Sequence, residues 1–324
     1  MVGFAETTVL DVSALFGGGD PALDRAIADV LERERSFAAI GFPNADGLDC
    51  RLSELLRFFA MRHEDKLSCA TCRFRPANAN IYRGFYPLSE AADWSHNEIF
   101  DMGPEPTMTV PDVPGAESFR EENVWPAVEP VAGWRDAMLE LFALKRVIGV
   151  AVLAAAARGL GLDEETFVAP ARGRNGTLRL LHYAPFPAGF ELRNEDSVAP
   201  GLFADGRQQI GSAHIDTGLV SVLWQDQSAG LQMRGADEVW REVPWRSNLL
   251  SIHLGDLVQA LSGNRLKGTM HRVLGDGGDR CSAGLFVEPD FETQVVAPSD
   301  PAPVSYARHL VNEFPGRFEA PLES

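Results

Sequence analysis

The sequence predicts a mainly β protein, a sandwich or a barrel, with supporting helices in its N-terminal half. After Thr177 the chain consists of short strand-like runs separated by Gly, Asp, Asn and Pro, a texture typical of sandwiches and barrels. Before Thr177, helical periodicity dominates. The chain has 324 residues, 45% of them hydrophobic, so it is long enough to bury one large core.

The first elements follow from local signals. TTVLDVSALF predicts a short strand, and Asp20 followed by Pro21 predicts a helix start, because Asp caps first-turn amides and Pro fits the first helical position. FAAIGFP predicts a second strand and RLSELLRFFAMRHEDKLS a second helix. The stripe expected to face the core in that helix consists of Leu52, Leu55, Leu56 and Phe59.

The middle of the chain divides into a loop and a long helix. Residues 74–119 are rich in Pro, Gly, Asn and Asp, which predicts loop with little regular structure. From about Val128 to Gly161 runs the strongest helical signal, which predicts a long supporting helix. Its apolar stretch, Val147 to Ala157, is too short to cross a bilayer. The opening MVGFAETTVLDV does not have the pattern of a signal peptide.

The C-terminal half is predicted to be a succession of strands. The strand-like runs are LRLLHYAPF, GLVSVLWQD, GLQMR, WREVPW, LLSIHLGDLVQAL, TMHRVLG and CSAGLFVEPD. The segment Asp276–Asp279 has a composition resembling a calcium loop, but four residues between two strands indicate a hairpin turn instead.

Composition limits the partners. The net charge of -17 and pI near 4.8 repel phosphate backbones, which disfavours nucleic acid and favours a small-molecule partner. Four scattered cysteines predict a reducing cytoplasmic location without disulfides, and no membrane association is expected. The Cys69 to Cys72 spacing has neither a second cysteine pair nor a thioredoxin context, so no role is predicted for it. Nothing in the sequence indicates an oligomeric state.

AHIDTG, residues 213–218, carries the strongest chemical signal. Residues two apart on a strand face the same way, so His214 and Asp216 can reach one metal ion while Ile215 faces away into the sheet packing. Two imidazoles and one carboxylate on one face of an octahedron leave three positions open, as in non-haem Fe(II) oxygenases. His271, 55 residues after Asp216 in another strand-like run, is the candidate for the second imidazole.

Arg280 and Ser282 form a second pair with strand spacing. A guanidinium fork and a hydroxyl on one face match a carboxylate, so the pair predicts a carboxylate anchor beside the metal. We predict no ligand role for the remaining histidines, and His253 is expected to pack or hydrogen-bond beside the core. The remaining histidines are His63, His96, His182, His253 and His309.

This ordered pattern of H-x-D, a distant H and R-x-S resembles the isopenicillin N synthase-like family of Fe(II)/2-oxoglutarate-dependent dioxygenases. SIHLGDLVQALSGNRLKGTMHRVL and GLQMRGADEVWREVPW are similar to the family's segments before the second histidine. VLDVSALF, FAAIGFPNADG, YRGFYPLSE and EIFDMGPE are similar to its N-terminal region, so the resemblance covers about residues 7–292. It implies a double-stranded β-helix, or jelly roll, with N-terminal helices, folded as one structural unit.

The resemblance also implies residue roles. His214, Asp216 and His271 would bind Fe(II), and Arg280, Ser282 and Tyr183 would bind 2-oxoglutarate. Near Tyr183 the chain departs from many members, with Leu181 and Ala184 in place of Asn and Pro. Three further residues are candidates for substrate contact, although loop anchoring or core packing would explain them as well. They are Arg83, Tyr86 and Phe286.

Four regions are expected along the chain. They are an N-terminal region of the dioxygenase fold (1–126), a long helix and connection (127–174), a catalytic region (175–292) and a C-terminal extension (293–324).

The implied activity is oxidation of a small molecule, most simply hydroxylation, with release of succinate and CO2. Fe(II), 2-oxoglutarate and O2 would take part, and the substrate would be amino-acid-like or a specialised metabolite. Two alternatives stay open: a 2-oxoglutarate-independent oxidase of the isopenicillin N synthase type, forming rings or double bonds, and a catalytically silent ligand-binding relative. Arg280 and Ser282 favour the first reading, and the complete metal triad argues against the last.

Overall fold

The computed structural model describes residues 4–88, 96–185, 205–298 and 300–315. The α-helices are α1 (Pro21–Glu34), α2 (Leu48–Leu55), α3 (His63–Leu67), α4 (Trp134–Gly159), α5 (Glu165–Val168), α6 (Val258–Leu261) and α7 (Tyr306–Glu313). The strands are β1 (Ala5–Glu6), β2 (Val9–Asp11), β3 (Ser36–Ile40), β4 (Gly84–Tyr86), β5 (Asn97–Met102), β6 (Gly176–Tyr183), β7 (Gln208–His214), β8 (Val220–Gln225), β9 (Leu231–Arg234), β10 (Trp240–Glu242), β11 (Leu250–Leu254), β12 (Met270–Gly275), β13 (Arg280–Val287), β14 (Gln294–Ala297) and β15 (Asp300–Ser305).

Two large sheets form the body of the fold. The five-stranded sheet has the order β1-β10-β9-β12-β7, and the eight-stranded sheet has the order β2-β3-β11-β8-β13-β6-β5-β4. Between them lies a small apolar cluster to which both sheets contribute, for example Leu231 and Val273 from one and Ala38 and Tyr183 from the other. The predicted mainly β jelly roll with supporting helices is confirmed.

The outer face of the eight-stranded sheet packs against α4. Gly149 of α4 lies directly on this sheet, where an added Cβ would come within 2.8 Å of Val287 and 3.2 Å of Val222. A larger residue would therefore push the helix away from the two central strands. This packing leaves the other face of the eight-stranded sheet turned toward the five-stranded sheet.

The start of α1 agrees with its capping signals. The Asp20 carboxylate accepts a hydrogen bond from the Ala22 amide at 2.8 Å, and Pro21 takes the first helical position. The helix ends where Arg35 adopts a left-handed conformation with φ of 60°. The chain then enters β3, as FAAIGFP predicted.

The second predicted helix is broken. After α2, residues 56–60 form a 3-10 turn, and α3 begins at His63. The neighbouring residues Phe58 and Phe59 of this turn are both buried. The Trp134 indole N–H bonds to the Leu55 carbonyl at the break, at 2.9 Å. Of the predicted stripe, Leu56 is partly exposed and the other three residues are buried.

Residues 74–119 contain more structure than predicted. Both β4 and β5 fall in this segment, and β5 pairs with β6 over its full length. Non-local pairing supplies the strand geometry that local composition disfavours. The prediction for this segment is therefore wrong at these two strands.

The long helix begins later than predicted, at Trp134, because Gly133 has φ of 74° and the Glu129 carboxylate accepts the amides of Gly133 and Arg135. Residues 276–279 connect β12 to β13, but the prediction of a hairpin is wrong, because β12 pairs within the five-stranded sheet and β13 within the eight-stranded sheet. Among the described helices, none is long and apolar enough to cross a membrane.

Candidate metal and 2-oxoglutarate site

The H-x-D segment and the distant histidine meet at the edge of the five-stranded sheet. His214 is the last residue of β7, and its register partner on β12 is His271, with 4.2 Å between ring centroids. Asp216 lies just beyond the strand, so it is not on the strand itself as expected. Ile215 is 39% exposed, and the expectation that it faces the sheet packing is therefore wrong.

Three potential ligand atoms converge here. The Nε2 atoms of His214 and His271 lie 3.5 and 3.7 Å from Asp216 Oδ1. All three donor atoms lie within 4.8 Å of one another, and in the described part of the chain this is the one such cluster of three. Two imidazoles and a carboxylate oxygen at this spacing fit one octahedral face of a non-haem Fe(II) site.

Backbone carbonyls orient both imidazoles. His214 Nδ1 lies 2.8 Å from the Ser212 carbonyl, and His271 Nδ1 lies 3.1 Å from the Thr269 carbonyl. Each contact requires the proton on Nδ1, which leaves Nε2 with a free lone pair for a metal. The strands therefore set both the position and the tautomer of the two imidazoles.

The second oxygen of Asp216 is held by two buried side chains. Ser221 Oγ donates to Oδ2 at 2.5 Å, and His253 Nε2 lies 2.9 Å from the same atom. The expectation that His253 hydrogen-bonds rather than joins the triad agrees with this geometry, but sequence reasoning missed Ser221. The sequence gives no signal for this contact, because Ser221 is placed beside His253 by the register of β8 with β11.

The protonation states of His271 and Asp216 suit metal binding. Burial, with the His214 charge adding to it, lowers the pKa of His271 to about 3, so its imidazole is neutral near pH 7. Burial acts to raise the pKa of Asp216, but the imidazoles around it hold that pKa well below its usual range. Neutral imidazole and ionised carboxylate are the forms that bind metals.

Residues outside the candidate metal site stabilise the loop after Asp216 through hydrogen bonds. The Asp256 amide donates to the Asp216 carbonyl at 3.0 Å, and the Asp256 carboxylate accepts from the Gly218 amide, also at 3.0 Å. From α7, the Tyr306 hydroxyl donates to the Thr217 carbonyl at 3.4 Å. The C-terminal extension therefore contributes to holding the metal loop.

Arg280 and Ser282 lie on β13 and face the space between the sheets. The Arg280 guanidinium is 2% exposed and donates to the Ala229 carbonyl at 2.6 Å, to Gln225 Oε1 at 3.2 Å and to Ser282 Oγ at 3.4 Å. Among the described residues it forms no ion pair with a carboxylate. A buried cation without a paired anion is costly, so the site fits a carboxylate ligand.

Tyr183 completes the predicted anchor. It is the register partner of Arg280, and its ring centroid lies 4.9 Å from the Arg280 guanidinium carbon. Leu181, which replaces the family's Asn, is the register partner of Ser282. The structure therefore brings Tyr183, Arg280 and Ser282 together on one face of adjoining strands.

The three residues predicted to contact substrate are separated. Phe286 lies on the same face of β13 as Ser282, toward the other end of the strand. Arg83 is 4% exposed, bonds to Thr177 Oγ1 at 3.0 Å and lies over the Tyr82 ring. The Tyr86 hydroxyl donates to the Tyr82 carbonyl at 2.6 Å. The contacts of Arg83 and Tyr86 match the loop-anchoring alternative, and their substrate role stays a prediction.

The Cys69 to Cys72 pair has no metal cluster around it in the described residues. Cys69 is buried, and burial raises the pKa of its thiol to about 12. A protonated buried thiol is a poor nucleophile.

The protein has two facing sheets, a His-Asp-His cluster and a buried candidate site for a carboxylate. This combination is typical of a metal-dependent oxygenase with a jelly-roll fold. Residues 179–289 match the model of the 2OG-Fe(II) oxygenase superfamily. The chain is 30% identical over 245 residues to 2-oxoglutarate-dependent dioxygenase citB of Monascus ruber, covering 73% of this chain and 69% of that protein. The chain belongs to the 2OG-Fe(II) oxygenase superfamily, and it is a 2-oxoglutarate-dependent dioxygenase that uses Fe(II).

Two further comparisons agree with this result. Isopenicillin N synthase of Amycolatopsis lactamdurans is 23% identical over 286 residues, which are 87% of this chain and 84% of that enzyme, and it bears out the predicted resemblance. The structure of full-length Neurospora crassa T7H in complex with alpha-KG superposes with a TM-score of 0.73 at 21% identity, covering 94% of each chain. The latter likeness shows the shared fold.

Proposed function

We propose that the protein oxidises a C–H bond of a small molecule, most simply by hydroxylation, at an Fe(II) ion held by His214, Asp216 and His271. Arg280, Ser282 and Tyr183 bind the distal carboxylate of 2-oxoglutarate. The observation that carries this proposal is the buried Arg280 guanidinium, which has no ion-pair partner among the described residues and lies on the strand facing the triad.

Bound Fe(II) supplies the O2 chemistry in which 2-oxoglutarate is decarboxylated to succinate and CO2 and the second oxygen atom reaches the substrate. The chain positions the reactants for this chemistry. The carbonyls of Ser212 and Thr269 orient the imidazoles, and Ser221 with His253 leaves one Asp216 oxygen for the metal. The apolar cluster between the sheets limits access of water to the site.

The substrate residues and the setting are also proposals. Phe286 is retained as a residue that lines the substrate site, because it lies beyond Ser282 on the same strand face. We expect a cytoplasmic enzyme, since the four cysteines are free in the structure. The four predicted regions of the chain are kept, with the catalytic region at 175–292.

The test separates metal from co-substrate binding. Under anaerobic conditions, Fe(II) protein mixed with 2-oxoglutarate should develop the weak visible charge-transfer band of the chelate, and O2 should then release succinate. His271→Ala should abolish iron binding, because it removes one of three ligands. Arg280→Ala should keep iron bound and weaken 2-oxoglutarate binding by roughly tenfold or more, since a lost charge-assisted contact is worth about 1.5–3 kcal/mol.

Arg25→Ala serves as the control, because Arg25 is an exposed residue of α1 away from the strands of the site. It should change neither the iron affinity nor the 2-oxoglutarate affinity. Unchanged 2-oxoglutarate affinity in Arg280→Ala would show that the anchor is assigned to the wrong residues. Absence of both the band and succinate with the wild-type protein would overturn the 2-oxoglutarate-dependent reaction itself.

A further inference from the structure

Arg179 of β6 faces the space between the sheets. Its register partners are Asp101 on β5 and Gly284 on β13. Because paired residues of antiparallel strands share a face, Arg179 lies on the same face as Ser282 and Phe286. Gly284 is two residues beyond Ser282, which places Arg179 level with a point about 7 Å along the strand from the 2-oxoglutarate anchor.

A buried carboxylate fixes the Arg179 side chain. Asp101 Oδ1 accepts from Arg179 Nε at 2.8 Å, and Asp101 Oδ2 accepts from Nη2 at 2.7 Å. The Asp101 side chain is 1% exposed and the Arg179 side chain 21%. The carboxylate thus lies behind the guanidinium and holds it in one orientation at low entropic cost to a ligand.

One edge of the Arg179 guanidinium has N–H donors that can bind a ligand. A guanidinium has five N–H donors in a plane, and Asp101 takes the edge formed by Nε and Nη2. No partner of Nη1 is found within the described residues. Nη1 and the second Nη2 proton form a two-donor edge that matches a carboxylate.

The surroundings of Arg179 belong to the reaction site. Its guanidinium carbon lies 5.4 Å from the Phe286 ring centroid. Phe286 shares its face of β13 with Ser282, so the guanidinium lies beside the strand that carries the proposed 2-oxoglutarate anchor.

The positions of the Arg179 and Asp101 charges favour binding of an anion. An incoming ammonium group would meet the guanidinium first, because Asp101 lies behind it, whereas a carboxylate would meet two N–H donors. We propose that Arg179, fixed by Asp101, is the polar anchor of the substrate and that the substrate is a small carboxylic acid whose apolar part contacts Phe286. This rests on the proposed function, since it places the substrate beside the iron and 2-oxoglutarate.

The experiment compares acids with their methyl esters. Phenylacetate, cinnamate, indole-3-acetate and N-acetyl-L-leucine, each beside its ester, are titrated into anaerobic Fe(II) protein saturated with 2-oxoglutarate, and the change of the chelate band is recorded. We expect at least one acid to bind tenfold more tightly than its ester and to stimulate succinate release when O2 is added. Esters binding as tightly as acids, or no acid changing the band, would overturn the carboxylate assignment.

Variants locate the contact. Arg179→Gln alone leaves Asp101 buried without its partner, so the double variant R179Q/D101N is used to keep the site neutral. In this variant, the ratio of acid affinity to ester affinity should fall at least tenfold, while the chelate band should still form. An acid preference equal to that of the wild type would refute the role of Arg179.

A matched control removes the same kind of ion pair elsewhere. Arg158 of α4 binds Asp24 of α1 through Nε at 2.8 Å and Nη2 at 2.9 Å. R158Q/D24N should keep the preference for the acid, and its loss there would contradict a local role of Arg179. A chelate band that fails to form at all would instead contradict the proposed function, so the two failures are distinguishable.

Discussion

The two oxygens of Asp216 have different tasks. Oδ1 points to the Nε2 atoms of both triad histidines, whereas Oδ2 is taken by Ser221 and His253. A carboxylate held through one oxygen is pre-set to bind a metal through the other. If Asp216 binds the metal as proposed, its orientation is fixed before the metal arrives, and the partners of Oδ2 contribute to the metal affinity.

His253→Ala should weaken Fe(II) binding by about 10- to 100-fold, the usual cost of losing a side chain that orients a metal ligand. Anaerobic titration with Fe(II) measures this, and Ser221→Ala, a smaller change, should lower the affinity in the same direction. His63→Ala is the control, because His63 is exposed on α3. If both variants bound Fe(II) like the wild type, Oδ2 would need no partner and this account of Asp216 would fail.

Residue types at fixed local spacing could be predicted, whereas cross-strand neighbours could not. His214 and Asp216 are two residues apart, so strand parity alone indicates a shared ligand role. The partnership of Arg179 with Asp101 requires the β5–β6 register, which a single sequence does not specify. The exposure of Ile215 depends on β7 ending at His214, and strand ends are set by tertiary contacts.

The turn that connects β12 to β13 is held to the neighbouring strands by a histidine. His182 of β6 lies between Glu98 of β5 and Asp279 of this turn, with 2.9 Å from each ring nitrogen to a carboxylate oxygen. The hydrogen bond to Glu98, and then that to Asp279, raises the pKa of His182 against the effect of burial. The protonated form therefore links β5, β6 and the turn that leads into Arg280.

This link predicts a pH-dependent stability. A raised pKa in the folded state means that the contribution of His182 is complete below its ordinary pKa of 6.5 and is lost as pH rises through the folded value. His182→Gln should therefore lower the free energy of unfolding most near pH 5.5, by roughly 1.5 kcal/mol for one charge-assisted hydrogen bond, and least near pH 9. Urea unfolding across this range measures it.

His63→Gln is the control, because it removes an exposed histidine, and its effect should be small at every pH. A stability difference between His182→Gln and wild type that stays constant from pH 5.5 to 9 would contradict a role for the protonated imidazole. A stability difference between these two proteins that increases with pH would contradict the predicted direction of the pH dependence.

At the scale of elements, prediction succeeded where signals are local. The cap at Asp20 sets the start of α1, whereas the turn at 276–279 was predicted as a hairpin but connects strands of different sheets. Both β4 and β5 escaped prediction because their segment is rich in Pro, Gly and Asn and their geometry comes from pairing with β6. The break after α2 involves Trp134, 79 residues away from Leu55, so local periodicity could not reveal it.

The two sheets are joined inside the molecule by Gln225. This residue of β8 donates from Nε2 to the Val243 carbonyl at 3.0 Å, and its Oε1 accepts from the Leu231 amide at 3.2 Å. Leu231 belongs to the five-stranded sheet and β8 to the eight-stranded one. Because Oε1 also accepts from Arg280, the same amide links the sheets and contacts the carboxylate anchor.

Gln225→Glu should lower the affinity for 2-oxoglutarate at least tenfold, about 1.4 kcal/mol, because it supplies Arg280 with a carboxylate of its own. Fe(II) affinity should change little, since Gln225 does not contact the triad in the described structure. The chelate band titrated with 2-oxoglutarate measures the effect. Gln227→Glu adds the same charge at an exposed position of the following turn, and an equal loss there would point to general electrostatics instead.

The proposed metal ligands and the proposed substrate-binding residues lie on different strands, which affects how substrate preference can change. The five-stranded sheet and the segment leaving β7 carry all three proposed metal ligands, whereas β5, β6 and β13 of the eight-stranded sheet carry the groups proposed to bind co-substrate and substrate. Under the proposed assignments, new substrate preferences can arise by substitution on β5, β6 and β13 while the three metal ligands are unchanged. The separation of the sheets would then set the distance from iron to the carbon that is oxidised, so remote packing changes would redirect oxidation to a neighbouring carbon without altering any residue that binds a ligand.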